Sequence, residues 1–122
     1  MTTALECYLA MAGETDAAAR QRTLSQFVDD FRRAPNETRT AMVRDPLDTC
    51  DSMTALLAAT VETLAVEVGI APPKWVEGVI SPEPYFAFGG RSFALRVRLM
   101  LDSPPAFKQR RVFVPDNFLD RA

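Results

Sequence analysis

Apolar positions recur every three or four residues through the N-terminal part of the chain, which is the spacing of helices with one buried side. The first helix is predicted over residues 3–12 and ends at Gly13. Thr15 or Asp16 is the predicted cap of the second helix, and Pro35 ends it because proline restricts the residue before it. The apolar side of this second helix is formed by Leu24, Phe27, Val28 and Phe31.

Two further helices are predicted in the middle of the sequence. Asn36 is a suitable cap for a short helix that runs through Val43. The clearest helix starts at Asp51 or Ser52 and ends at Gly69, because glycine favours the left-handed conformation that closes many helices. We expect this helix at the centre of the core. Its apolar side is formed by Met53, Leu56, Leu57, Val61, Leu64 and Val68.

The loop at residues 70–90 has a different composition. It holds four prolines, Trp75 and three further aromatic residues, and its prolines and glycines disfavour a long helix. Its aromatic content is too high for a flexible linker. We therefore predict an ordered loop that packs over the helices, with at most one helical turn around residues 74–77.

The segment RSFALRVRLMLD, residues 91–102, fits two kinds of secondary structure. Alternation typical of a strand is seen at Phe93, Leu95, Val97, Leu99 and Leu101. A helical stripe is also present, at Phe93, Val97, Met100 and Leu101. The length of the segment and its leucine, arginine and methionine content favour the helix.

The residues that follow are predicted to form short elements. Ser103 is interpreted as a helix cap, with Pro104 at the first helical position. RVFV, residues 111–114, is predicted to be extended. Asp116 or Asn117 is the predicted cap of a final helical turn.

These elements predict an all-α, that is mainly α, fold: one compact helical domain of five to seven helices with a short extended segment near the C-terminus. Residues 1–46 would contribute the N-terminal helices and residues 47–122 the remaining core, which includes the aromatic and proline-rich loop 70–90. A chain of 122 residues suits a single domain, because it can bury a sufficient core without a metal or a disulfide.

Composition excludes several classes of function. The sequence contains no histidine, which removes imidazole metal ligation and the usual activation of a serine or cysteine nucleophile. Cys7 and Cys50 match no metal-binding spacing. Reduced thiols in the cytoplasm are their expected state, and a disulfide between them is the less favoured alternative. No apolar run is long enough to span a membrane, and the N-terminus lacks the basic lead-in of a signal peptide. We therefore predict a cytoplasmic protein without membrane association.

No catalytic, metal or cofactor site is predicted. The acidic set Asp45, Asp48 and Asp51 lacks the glycine and the final glutamate of a calcium-binding loop. FGGRS, residues 88–92, lacks the lysine and the fuller glycine pattern of a phosphate-binding loop. The chain is therefore predicted not to be an enzyme. An enzyme that uses carboxylates or Lys74 is the third class of function compatible with the sequence.

The net charge of −2 is unevenly distributed along the chain. Residues 91–111 hold six basic residues and one acidic residue, a net charge of +5, whereas residues 1–90 have a net charge of −6. Three uses of these cations are compatible with the sequence: pairing within the chain, contact with a partner protein, and binding to nucleic acid phosphates. Nucleic acid is the least favoured, because the chain as a whole is acidic.

Aromatic residues close to these cations indicate a partner-binding surface, because tryptophan, tyrosine and arginine are enriched at interface hot spots. The loop 70–90 would supply apolar anchors, and the basic segment would supply the charge that orients the partner. The candidate partner-binding residues are Trp75, Tyr85, Phe86, Phe88, Arg96, Lys108, Arg110 and Arg111.

Two stretches, LLAATVETLAVEVGIAPPKWVEG and ALRVRLMLDSPPAFKQRRVFVPDNFLDRA, carry a recognisable pattern. A leucine-rich helix is followed by Pro-x-Trp, a variable aromatic loop, and Ser-Pro-x-x-Phe-x-x-Arg-x-x-Phe-Val. On this pattern, residues 50–122 resemble an uncharacterised, chiefly actinobacterial domain family. The matching positions are Gly69, Pro73, Trp75, Ser103, Pro104, Phe107, Arg110, Val112, Phe113, Val114, Leu119 and Arg121.

The resemblance implies a non-enzymatic role. Such domains often follow a helix-turn-helix module, or lie beside nucleotidyltransferase-like genes in toxin–antitoxin-like loci. The resemblance therefore implies an antitoxin-like or regulatory protein that binds and restrains a partner protein, such as a toxin encoded nearby. The first 45 residues depart from the helix-turn-helix pattern, since no small-residue turn separates two short helices. A nucleic-acid-binding transcriptional regulator that uses the basic segment 91–111 is the alternative.

Overall fold

Residues 2–47, 49–87, 92–115 and 118–121 are described by a computed structural model of the chain. Six α-helices are present in this part of the chain, which confirms the predicted mainly α fold. They are α1 (Ala4–Ala12), α2 (Ala17–Arg33), α3 (Asn36–Val43), α4 (Ser52–Val68), α5 (Phe93–Asp102) and α6 (Pro105–Lys108). The shorter elements are 3₁₀ turns at Lys74–Val76 and Phe118–Arg121, and the strands β1 (Tyr85–Phe86) and β2 (Val112–Phe113).

Helix α4 lies at the centre of the core and is buried on most of its sides. The small residues Ala55 and Ala58 are as fully buried as Leu57. Because alanine lets neighbouring elements approach closely, α1, α2, α6 and β2 all pack against this helix. Asp51 caps its first turn, and Gly69, with φ of 78°, closes its last turn. The predicted central helix is confirmed together with both of its ends.

Helices α1 and α2 pack on α4, and α3 packs on α1. The apolar stripe predicted for the second helix is confirmed. Its members, Leu24, Phe27, Val28 and Phe31, are all buried. The same apolar cluster includes Phe107, Val112 and Val114 near the C-terminus, so the two halves of the chain share one core.

Arginine side chains satisfy carbonyl groups at the ends of α1 and α2. Nε of Arg20 donates to the carbonyl oxygen of Met11 at 3.2 Å. Arg39 donates from Nε to the carbonyl oxygen of Phe31 at 2.9 Å, and from Nη2 to that of Arg32 at 2.7 Å. The last carbonyl groups of a helix have no partner within it, so a cation there supplies hydrogen bonds and favourable charge.

Two helix starts differ from the sequence prediction. Asn36 is the first residue of α3, and Pro35 takes the cap position. Helix α6 starts at Pro105, one residue after the predicted Pro104. Pro104 is extended, with ψ of 151°, because a residue that precedes proline avoids the helical conformation. The hydroxyl group of Ser103 does not cap α6 and instead bonds to the end of α5 and to the residue after β2.

Strands β1 and β2 form a parallel two-stranded sheet that joins the loop 70–90 to the C-terminal segment. Tyr85 pairs with Val112, and Phe86 pairs with Phe113. The segment predicted to be extended contains β2. Strand β1 was not predicted, because its pairing partner lies far along the chain. The predicted cap of the final turn, at 116–117, lies outside the described residues.

Asp51 joins the start of α4 to α1 through its carboxylate. Its Oδ1 accepts a hydrogen bond from the backbone N–H of Thr54 at 2.8 Å, and its Oδ2 accepts one from the hydroxyl group of Tyr8 at 2.7 Å. Burial alone would raise the pKa of Asp51. The hydrogen bonds from Tyr8 and Thr54 outweigh burial and hold this pKa below its ordinary value.

We expect Asp51→Ala to lower the free energy of unfolding by about 1 kcal/mol, the usual cost of losing an N-cap. Asp51→Asn keeps a capping side chain but removes the titration. Because the folded-state pKa is lowered, the stabilisation by the carboxylate is present above the ordinary pKa of 3.8 and is lost as the pH falls through the folded-state value. Urea unfolding from neutral to acid pH measures this, and a difference between wild type and Asp51→Asn that does not shrink on acidification contradicts it.

Candidate protein-interaction surface

Arg110 lies inside the structure, with a side chain only 5% exposed. Its Nη2 donates to Oε1 of Glu62 in α4 at 2.8 Å and to the carbonyl oxygen of Val76 at 3.0 Å. Its Nη1 donates to the carbonyl oxygen of Ala106 at 2.8 Å. Its Nε is buried without a hydrogen-bond partner among the described residues. This cation is thus paired within the chain, and its guanidinium is not presented to a partner protein.

The three other predicted cations are exposed and also make contacts within the chain. Nζ of Lys108 donates to the carbonyl oxygen of Leu101, near the end of α5, at 2.7 Å. The guanidinium of Arg96 lies over the ring of Phe86, 5.1 Å from its centroid, which is a cation–π contact. Arg111 has φ of 62°, and its Nη1 donates to a carbonyl oxygen of the loop at 3.4 Å. These contacts orient the three cations without burying them.

The predicted aromatic anchors are only partly accessible. Trp75 is half-buried, and its Nε1 donates to a carbonyl oxygen at the end of α3 at 2.7 Å. Tyr85 is also half-buried, and burial raises the pKa of its phenol above the ordinary value. The ring of Phe86 packs against that of Phe113, with the centroids 5.2 Å apart. Phe88 lies outside the described residues.

Helix α5 exposes a continuous apolar side. Phe93 is 84% exposed and Leu101 is 70% exposed. Val97 and Met100, which lie between them, are exposed as well. The four residues follow the spacing i, i+4, i+7 and i+8, so they occupy one side of the helix. We call this side the outer stripe. Leu99, on the opposite side, is only 5% exposed.

The sequence predicted the outer stripe as a helical pattern, but it did not predict that these four side chains are exposed. Leu95 and Leu99 lie on the other side of the same helix. A helix that packs on a core needs one apolar side, whereas α5 has two. This excess of apolar residues is the signal that would have indicated a second contact surface.

Within the described part of the chain, few contacts attach α5 to the other elements. Among its ten residues, all of which are described, Leu99 is the one that is buried. The helix packs on β2. The hydroxyl oxygen of Ser92 caps its first turn by accepting a hydrogen bond from the backbone N–H of Leu95 at 3.1 Å. The fold therefore presents α5 at its surface with the side chains of the outer stripe exposed.

Basic side chains lie on both edges of the outer stripe. Arg96 and Arg98 are each about 100° from its centre around the helix axis, on opposite edges. Arg98 is 79% exposed and pairs with Asp102 one turn later, with 3.3 Å between Nε and Oδ2. Lys108 adds a charge at the C-terminal end of α5. We call Arg96, Arg98 and Lys108 the basic border of the stripe.

Other kinds of site find little support in the described part of the chain. No group of three or more cysteine, aspartate or glutamate side chains within it could hold a metal ion. Burial raises the pKa of Cys7 to about 12, so this thiol is not a nucleophile at neutral pH. None of the described helices is both long enough and apolar enough to cross a membrane.

Comparisons with protein-family models, with curated proteins and with solved structures found no match for this chain. The resemblance of residues 50–122 to an actinobacterial domain family therefore stays a prediction.

Loss of the ion pair between Arg110 and Glu62 should destabilise the fold strongly. Glu62→Ala leaves a buried charge with only backbone partners, and we expect the free energy of unfolding to fall by about 3 kcal/mol. The matched control Asp102→Ala breaks the exposed pair with Arg98 and should cost less than about 0.5 kcal/mol. Urea unfolding measures both costs, and two equally small costs would show that Arg110 is not a structural anchor.

Proposed function

We propose that this chain is a non-enzymatic protein-interaction module that binds a partner protein through the outer stripe of α5. The observation that carries the proposal is the exposure of Phe93 and Leu101 on the side of α5 opposite the buried Leu99. Contiguous apolar patches on a protein surface mark interaction sites more often than isolated apolar residues do.

The outer stripe can supply the affinity of such a complex. Full burial of a phenylalanine or leucine side chain contributes about 1.5–3 kcal/mol. Phe93 and Leu101 are the most exposed members of the stripe, so they gain the most from being covered. Interfaces have an apolar core surrounded by a polar rim, and a few residues carry most of the binding energy. The basic border provides such a rim.

A role without catalysis is supported by the chemistry that the chain lacks. The sequence has no histidine, so neither a histidine-activated nucleophile nor an imidazole-bound metal is available. The thiol of Cys7 is buried and protonated at neutral pH. We therefore propose that the protein acts by covering a surface of its partner.

We further propose an antitoxin-like or regulatory role in the cytoplasm, in which the complex restrains a partner encoded nearby. The resemblance of residues 50–122 to a domain family of toxin–antitoxin-like loci supports this finer proposal. The outer stripe lies within that segment, between the matching positions Trp75 and Ser103.

Co-purification from the native operon tests the proposal. A tagged wild-type chain, expressed with its neighbouring genes, should retain a defined partner protein through size-exclusion chromatography. Phe93→Glu and Leu101→Glu each place a charge in the proposed contact. Each should reduce the retained partner at least about tenfold, because the apolar burial that it removes is worth more than about 1.4 kcal/mol.

Val66→Glu is the matched control, because Val66 is 68% exposed on a different helix, α4. This variant should retain the partner as the wild type does. Circular dichroism and urea unfolding establish that all three variants are folded. The proposal fails if the wild-type chain elutes alone, or if all three variants retain the partner equally.

A further inference from the structure

We infer that the element of the partner that contacts α5 is an amphipathic helix whose apolar side is bordered by aspartate and glutamate. This inference rests on the proposed binding of a partner to the outer stripe. The stripe extends about 12 Å along α5. Side chains spaced three and four residues apart form ridges that fit between those of a second helix. The outer stripe is therefore shaped to pair with another helix.

The basic border determines the charge that this second helix should carry. Arg98 is exposed on one edge of the stripe, Arg96 is exposed on the other, and Lys108 lies at its end. Acidic residues beside the partner's apolar side would face these cations on both edges. Such complementarity speeds association and selects the orientation of the complex. Asp102 already pairs with Arg98, but an exposed pair one helical turn apart is weak and can be shared or exchanged.

A second copy of the chain fits the outer stripe less well. In a symmetric antiparallel pairing of two α5 helices, each edge of the stripe meets the same edge of the other copy. Arg98 would then face its own counterpart, and so would Arg96. Like charges placed against each other in an interface are unfavourable, so the border disfavours self-association.

Nucleic acid also fits less well. Its phosphates would be attracted to the basic border, but the aliphatic side chains of Val97, Met100 and Leu101 lie between the two charged edges. Proteins that bind single strands instead place aromatic rings there, on which bases stack. Phe93 is the one aromatic residue of the stripe.

Two synthetic helical peptides test the inference on the full chain. Both carry the same leucine stripe, and the positions that flank it are glutamate in one peptide and lysine in the other. Fluorescence anisotropy gives the Kd of each at about 0.05 M salt and at about 0.5 M salt, where surface charges are largely screened. We expect the glutamate peptide to bind at least about tenfold more tightly at low salt, with the difference shrinking at high salt.

Variants of the chain assign the preference to particular side chains. Arg98→Glu should shift the preference toward the lysine peptide, and Phe93→Ser should weaken the binding of both peptides. Arg44→Glu is the matched control, because Arg44 is exposed at the end of α3. This control should keep the preference of the wild type.

Equal binding of the two peptides, a preference for lysine, or no binding of the glutamate peptide would each overturn the inference. The operon experiment probes the outer stripe independently of its charged border, so a failure of the peptide experiment is distinguishable from a failure of the proposed function.

Sedimentation provides a further check. Self-association of the wild type that Phe93→Ser abolishes would assign the stripe to a second copy. Binding of single-stranded DNA that the same variant abolishes would assign it to nucleic acid.

Discussion

The arrangement of the C-terminal half depends on the hydrogen bonds of one buried group, the guanidinium of Arg110. Its hydrogen bonds to Glu62, Val76 and Ala106 join α4, the 3₁₀ turn of the loop, and α6. Its backbone carbonyl oxygen accepts a hydrogen bond from the N–H of Ser81 at 2.8 Å, so side chain and main chain both attach the loop to the core. A buried cation is tolerated only when it is paired, and moving any of these elements away would remove one of its hydrogen-bond partners. The loop and α6 are thus attached to α4 through Arg110, and α5 packs on the neighbouring strand β2.

Several of the described cations donate hydrogen bonds to carbonyl groups at the ends of helices. Arg20 and Arg39 bond to carbonyl groups at the ends of α1 and α2, and Lys108 bonds to one near the end of α5. The C-terminal end of a helix has carbonyl groups without partners and is the negative end of the helix dipole. A cation there donates hydrogen bonds to these carbonyl groups and interacts favourably with the dipole. The described cations between residues 92 and 111 therefore do not form a free basic arm. In the proposed complex the cations at the edges of α5 give orientation, and the outer stripe gives affinity.

Helix α5 carries more apolar side chains than its packing in the fold buries. It carries apolar residues on two sides, yet the fold buries only Leu99. A disagreement of this kind is expected where a protein keeps a surface for function, because the sequence is then selected for more than its own packing. A partner that covers Phe93 and Leu101 would bind the folded chain in preference to the unfolded chain and so stabilise it by mass action.

The sequence by itself determined the helical class, the central helix and most helix ends, because periodicity, Gly69 and the prolines act on near neighbours in the chain. It also indicated the helical stripe of α5, but not the side that faces outward. That side and the burial of Arg110 were decided only by the tertiary structure. The two apolar sides of α5 are alike in sequence, and the packing of β2 covers the side of Leu99. Arg110 and Arg111 are likewise equivalent in sequence. The backbone turns to positive φ at Arg111, and only Arg110 meets the carboxylate of Glu62.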